Sequence, residues 1–369
     1  MDPTADLDMA RSIILAHGWT ATAYQILNPG LQLWFSRSGD AVAGYRDWGG
    51  IRVVAGAPVC ALERLEAVVA EFETDAARRL CRVCYFAAGA RLESLLGGRS
   101  GYSKAVIGAQ PFWDPRERAD IVGGHASLRA QLHRARNKGV TIREWPAGEA
   151  GGHEGIRRCL QEWLGGRNMP PMGFLVEPQT LARLWDRRVF VAERDGRPVA
   201  FLVAAPVPRR HGWLIEQIVR GVDAPNGTAE SLVDAAFQAA HADGLEYFTL
   251  GLAPLTRIAE EAGGSNPLWL DMAFAWLRAH GSRFYDFQGL EQFKSKFRPG
   301  GWEPIYALCK GSFSSKVLLA IAAAFAGGSP FRFLAGAFSL AVRQELAWVF
   351  KRGRAYSAVR LPIPGAAGE

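Results

Sequence analysis

An α/β fold is what this sequence predicts, on three observations. Apolar runs of strand length alternate along the chain with amphipathic helical stretches. Residues 188–205 hold two apolar runs on either side of Asp195-Gly196, the turn chemistry of a β-hairpin. A length of 369 residues, 49 % apolar and 21 % charged, suffices for two domains with separate cores and excludes a mainly disordered chain.

The elements follow in order. Asp8 to His17 reads as a short helix; residues 32–36, 40–45 and 51–56 have the alternation and Gly-bounded length of strands. From Leu62 to Arg79, apolar residues at Leu65, Val68, Val69 and Phe72 mark a helix packed on one face. Arg82 to Ala88 is the next strand, and a polar run with Pro111 and Pro115 closes the first half. A helix spans Ala126 to Asn137, with Ser127 as cap and Gly139 as stop, and carries Arg129, His133 and Arg136 on one face. After the hairpin come a strand at 212–220, a loop at 223–228, a helix from Ala229 to Asp243 and a strand at 248–254. This order of hairpin, strand, loop, helix and strand is that of acetyltransferase-like folds, in which the loop offers backbone N–H groups to an acyl donor or its phosphate.

The most informative stretch runs from Phe284 to Tyr306, where Asp286 and Gln288 lead into a helical turn bearing Lys294, Lys296 and Arg298. Such a basic run alone is an ordinary solvated helix end. Framed by Phe293, Phe297 and Trp302 and closed by Pro299-Gly300-Gly301, it reads instead as a fixed cationic wall suited to phosphate and a ribose or base.

A formal net charge of +7 and a pI near 9.3 favour an anionic partner such as RNA or an anionic lipid surface, or a basic surface spread evenly. Five irregularly spaced cysteines argue against a disulfide framework and for a reducing, cytoplasmic compartment. Cys81 and Cys84 have half-site spacing for zinc but lie in an apolar strand with no second pair, so no metal is expected. The acidic N-terminus lacks the pattern of a signal peptide. Beyond Phe313 two apolar stretches, 317–326 and 331–342, each fall short of the ~20 residues that span a bilayer. With Trp348, Lys351, Arg352 and Arg354 they read as interfacial helices, preferred over helices packed on the protein's own core.

Taken together, Ala224-Pro-Asn-Gly-Thr-Ala-Glu230, the stretch from Phe248 to Leu255, and the Phe284 to Pro299 segment with its Phe-Lys-Ser-Lys-Phe core resemble the C-terminal catalytic region of the phosphatidylglycerol lysyltransferase family. The resemblance covers residues 30 to 310, with the 127–138 helix similar to the family's linking helix. It implies tandem acetyltransferase-like (GNAT) domains with mixed sheets flanked by helices. They are expected at 1–122 and 123–312, with the linking helix at 126–138 and an apolar, basic helical tail at 313–369. It also implies transfer of an amino acid from aminoacyl-tRNA to a membrane lipid, in a tunnel open to tRNA on one side and lipid on the other, with no cofactor. Arg220 matches the arginine that closes the family's Asp-Leu-Met-Arg strand motif, while Asn226, Gly227 and Glu230 match its Pro-Asn-Gly loop and following acid. Lys294 and Lys296 match the cations of its Phe-Lys-x-Lys-Phe motif, and Trp302 and Tyr306 its aromatic close. The sequence departs from the pattern at Gln217, where the family has aspartate, and Gly300-Gly301 lengthens the link to Trp302 by one residue. Glu216, by strict strand alternation, points to the opposite face and is a poor substitute. No counterpart of the long membrane-embedded flippase half of full-length family members is expected within these 369 residues.

An aminoacyl ester is already activated, so transfer requires positioning, a proton route and stabilisation of the oxyanion and departing ribose oxygen. Lys294, Lys296 and Arg220 are expected to bind phosphate and stabilise charge, Glu230 to orient the donor amine or the acceptor, and Tyr306 to carry a proton. Gln217, Asn226, Gly227, Asp286, Gln288, Arg298 and Trp302 complete the expected substrate-binding set. The expected partners are aminoacyl-tRNA, a lipid or other amphiphile, and an anionic membrane surface met through the tail, which places the protein at the inner face of the cytoplasmic membrane. Competing readings are transfer to a small amine or hydroxylamine, thioester-dependent N-acylation, and a non-catalytic adaptor; the 223–228 loop lacks the Gly-rich pyrophosphate turn that the thioester reading needs.

Overall fold

The computed structural model describes residues 3–117, 125–166, 172–176, 179–256, 266–272, 274 and 287–327. The helices are α1 (Pro3–His17), α2 (Leu65–Arg78), α3 (Ala90–Leu96), α4 (Ala126–Asn137), α5 (Ala147–Gly152), α6 (Glu154–Gly165), α7 (Thr228–Ala242), α8 (Phe287–Ser295) and α9 (Ser315–Phe325). The first half supplies strands β1 (Gln32–Phe35), β2 (Val42–Trp48), β3 (Ile51–Ala55), β4 (Arg82–Ala88) and β5 (Tyr102–Trp113). The second supplies β6 (Val140–Trp145), β7 (Arg188–Arg194), β8 (Arg197–Val207), β9 (Gly212–Arg220), β10 (Tyr247–Thr249), β11 (Ala253–Pro254) and β12 (Gly301–Lys310).

These strands form one mixed sheet in the order β1-β2-β3-β4-β12-β5-β10-β9-β8-β7-β6, with β11 paired to β5. Each half contains a parallel crossover, β3 to β4 through α2 and β9 to β10 through α7; the other pairs are antiparallel. The expected hairpin is β7–β8, and Asp195 and Gly196 both have positive φ, 52° and 71°, as the primed turn requires. β5 joins the halves. Its Val106 packs in the core beneath α2, whereas its Trp113 packs against Phe237 and Phe248 in the second half and donates from Nε1 to the Phe297 carbonyl at 2.7 Å.

Three expectations need correcting. The cap of α4 is His125, whose Nδ1 accepts from the Leu128 N–H, rather than Ser127. The strand at 248–254 divides into β10 and β11, because Gly251 turns the chain at φ 72°. The first tail helix, α9, is not interfacial: Val317, Ala320 and Ala324 are buried in the core with Val42, Val53 and Ile14, and Ala323 is buried too. Arg46 holds its end by donating to the Ala324 carbonyl at 2.8 Å. Small apolar residues at helical spacing fit a helix laid flat on a sheet, which satisfies them without lipid. The second apolar stretch and the basic residues from Trp348 to Arg354 lie outside the described residues, and no described helix is long and apolar enough to cross a membrane. Cys84 is fully buried as a core-strand residue, and no group of metal-ligating side chains occurs among the described residues.

Candidate active site

A cavity of about 320 Å³ lies where the two halves meet. Its polar lining comes from distant parts of the chain and includes Gln110 on β5, Arg210 after β8, Glu216 on β9, Lys294 on α8 and Glu303 on β12. Aliphatic and aromatic side chains make up much of the remaining wall, among them Trp19, Leu214 and Ile305.

Lys294 reaches this cavity because α8 turns Leu290 and Lys294, four residues apart, to one face, while Phe293 and Phe297 pack into the second-half core. Lys294 is only 3 % exposed, and its Nζ donates to the Gly251 and Leu252 carbonyls at 2.7 and 2.8 Å. Burial pushes its pKa down to about 7, although the two carbonyl acceptors favour the ammonium.

The β8–β9 ladder slips between Val203 and Ala204: Val203 faces Gln217, but Ala204 faces Ile215, leaving Glu216 as the extra residue of a bulge. Ile215 and Ile218 therefore pack in the same core, three residues apart, and Glu216 and Gln217 share the opposite face. The alternation argument that sets Glu216 apart from Gln217 fails for this reason, and Glu216 lines the cavity. Its carboxylate is held by Arg187, whose Nε and Nη2 donate at 2.5 and 3.0 Å, and both side chains are almost completely buried. Arg187 also donates to Asn28 Oδ1 at 2.9 Å, tying the site to the first half.

The expected cationic wall divides. Lys296 points away from Lys294 toward the start of α7, where its Nζ is 3.3 Å from Glu230 Oε1. Arg298 is exposed at positive φ. Gly227 precedes α7 at φ 93°, and a Cβ there would stand 2.1 Å from the Gln131 carbonyl of α4, so only glycine fits. Asn226 and Arg220 are exposed nearby, Arg220 donating to the Ala224 carbonyl at 3.1 Å. The structure thus gathers Arg220, Asn226, Gly227, Glu230 and Lys296 around one turn, and Lys294 in the cavity. Gln217 is buried. Trp302 packs at the edge of the first-half core, and Tyr306 lies within it, beside Leu308 and Val106. Burial raises the Tyr306 pKa, and its neighbour Ile305, not Tyr306, lines the cavity. The structure therefore does not bring Tyr306 to the other site residues. Asp286 lies outside the described residues, as does the side chain of Gln288.

Two further groups escape the sequence reading. Arg210 donates to both Glu303 oxygens at 2.9 and 2.7 Å and lies over the Tyr247 ring at 3.5 Å. Tyr247 accepts from Gln110 at 2.6 Å in turn. Their signal is absent from local sequence, because partners 93 and 137 residues apart meet only through the sheet.

Comparison with known proteins adds the decisive observation: the family described as "Phosphatidylglycerol lysyltransferase, C-terminal" matches the chain over residues 11–309. The chain belongs to this family. A phosphatidylglycerol lysyltransferase of Bacillus subtilis is 24 % identical over 301 residues, which is 81 % of this chain. The chain spans about a third of the length of that relative, the match covering 34 % of it. Two solved structures share the fold. The C-terminal domain of a lysylphosphatidylglycerol synthetase-like protein from Agrobacterium fabrum has a TM-score of 0.75 at 24 % identity, over 88 % of this chain and 98 % of that one. L-PGS from Bacillus licheniformis has a TM-score of 0.72 at 22 % identity, over 88 % and 95 %. The mixed sheet flanked by helices is thus common to this lysyltransferase family.

Proposed function

We propose that the chain transfers an aminoacyl group from aminoacyl-tRNA to the hydroxyl of a phosphatidylglycerol-like lipid or similar amphiphile, at the cytoplasmic face of a membrane. Membership of the lysyltransferase family supports the reaction class. The observation that carries the mechanism is Lys294, a buried amine on the cavity wall whose pKa of about 7 lets it exchange a proton at neutral pH.

In this reading the acceptor oxygen attacks the ester carbonyl and gives its proton to the Lys294 amine. The carbonyl–ribose bond breaks, and the ribose oxygen leaves with a proton returned by Lys294. Glu216, fixed by Arg187, accepts hydrogen bonds from the donor's α-ammonium, a task open because Gln217 carries no charge. The outer turn with Arg220, Asn226, Lys296 and Arg298 holds donor phosphates, and Glu230 orients Lys296. The division into 1–122, 123–312 and 313–369 belongs to the same reading, with β12 lent to the first half.

The test supplies the protein with total tRNA, a synthetase extract, labelled amino acids and phosphatidylglycerol vesicles. Label should enter the lipid fraction and be lost after RNase treatment. Transfer that survives RNase overturns the reading, and label confined to the aqueous phase moves the acceptor to a small soluble molecule.

A further inference from the structure

The cavity shares Trp19, Thr20 and Gly89 with a smaller groove of about 40 Å³ lined by Pro58, Val59 and Leu92. At this shared wall the guanidinium groups of Arg91 and Arg210 meet over one ring, and the charge of Arg209 bears on Arg91. Arg91, at the start of α3, stacks over the Trp19 ring at 3.3 Å, and Arg210 lies over the same ring at 5.4 Å. Arg209 is exposed beside them, its backbone N–H tied to the Gly18 carbonyl at 2.9 Å. Only Arg210 has a carboxylate, Glu303; Arg91 and Arg209 have none among the described residues. Burial, and then the charges of Arg209 and Arg210, push the Arg91 pKa down.

Converging like charges with too few counter-charges repel one another, and a bound anion relieves that repulsion. A guanidinium flattened on an indole keeps its edge N–H groups free to fork onto two oxygens of a phosphate. The rim beside it is apolar, with Leu62 55 % exposed in the groove wall, which fits a phosphate joined to an aliphatic body better than a sugar–phosphate polyanion.

We infer that Arg91 and Arg209, with Trp19 as platform, form a phosphate subsite that takes the phosphodiester of an anionic lipid headgroup. As the seat of the acceptor this subsite rests on the transferase reading; its ligand chemistry does not.

The test measures binding of the full chain to phosphatidylglycerol vesicles, phosphatidylcholine vesicles, inorganic phosphate and deacylated tRNA, with no aminoacyl donor present. R91A should bind phosphatidylglycerol roughly tenfold more weakly, about the loss of one charge-assisted hydrogen-bonded pair, and leave tRNA binding unchanged. R197A, which removes an equal charge from the exposed β7–β8 hairpin, should bind as the wild type does, and R91K should regain part of the affinity while guarding against misfolding. Arg91-dependent binding of inorganic phosphate supports the same chemistry with a soluble source. The inference is overturned if R91A and R197A bind phosphatidylglycerol alike, or if R91A loses tRNA binding to the same degree. Because binding is measured apart from transfer, Arg91-dependent lipid binding by a protein that transfers no label in the assay with tRNA and synthetase extract sinks the transferase reading and leaves the subsite standing.

Discussion

Lys294, in the last turn of α8, and Lys296, just past its end, lie two residues apart and meet opposite surroundings. Lys294 enters the cavity between the halves, where two carbonyls hold it and, among the described residues, no carboxylate pairs with it. Lys296 emerges just past the end of α8, partly exposed, beside Glu230 at 3.3 Å. The difference teaches that a run of cations in sequence is not a cluster in space: the last helical turn buries one in the cavity wall, and the turn after it leaves the other in a partly exposed ion pair.

The comparison breaks most visibly at Lys294. Lys294→Met should lower transfer by about 100-fold or more, the usual worth of a positioned acid–base group. The same change should make the protein more stable at pH 7. The unfolded chain holds this proton up to about pH 10.4. The folded chain sheds it near pH 7, so wild-type stability rises with pH between those values and the penalty is fully present below them. Denaturant titrations at pH 7 and 9.5 check this; the variant should lack that part of the slope.

Arg187→Met tests the other buried charge of the cavity, leaving Glu216 without its partner. A loss of about 3–5 kcal/mol is expected, largely restored by adding Glu216→Leu, because an uncompensated buried charge costs more than an absent pair. Thermal melts of both variants decide it. On the outer side the effects shrink. Gly227→Ala should cost on the order of 2 kcal/mol, through the positive φ and the clash with the Gln131 carbonyl, and weaken donor tRNA binding as the α4–α7 contact shifts. Lys296→Ala should change stability by less than about 1 kcal/mol, as expected for a partly exposed pair, while reducing tRNA affinity. Full transfer with unchanged tRNA affinity in that variant would remove Lys296 from the site.

What could be read from sequence follows the range of the interactions involved. The β7–β8 hairpin, β4, β9 and α4 are legible because turn chemistry and periodicity are local, and β4, β9 and α4 fall on the expected residues. The Leu290–Lys294 face was open to the same reasoning, since residues four apart share a face. The bulge at Glu216 was not, because alternation gives no sign of an extra residue until the partner strand is known. Nor were Arg187, Arg210 and Gln110, whose partners arrive through tertiary pairing. The turn around Gly227 was found through its motif, but its need for glycine comes from α4, which precedes it by ninety residues or more.

The insertion of β12 between β4 and β5 has a consequence for synthesis on the ribosome. Until residue 310 has emerged, the earlier strands cannot close into one surface, and both β4 and β5 present bare hydrogen-bonding edges. Residues 1 to 113 therefore cannot finish folding as they appear, against the usual N-terminal-first course. A nascent chain stalled before β12 would offer the 12-residue edge of β5 to any other strand within reach, making this interval the one in which aggregation competes hardest with folding.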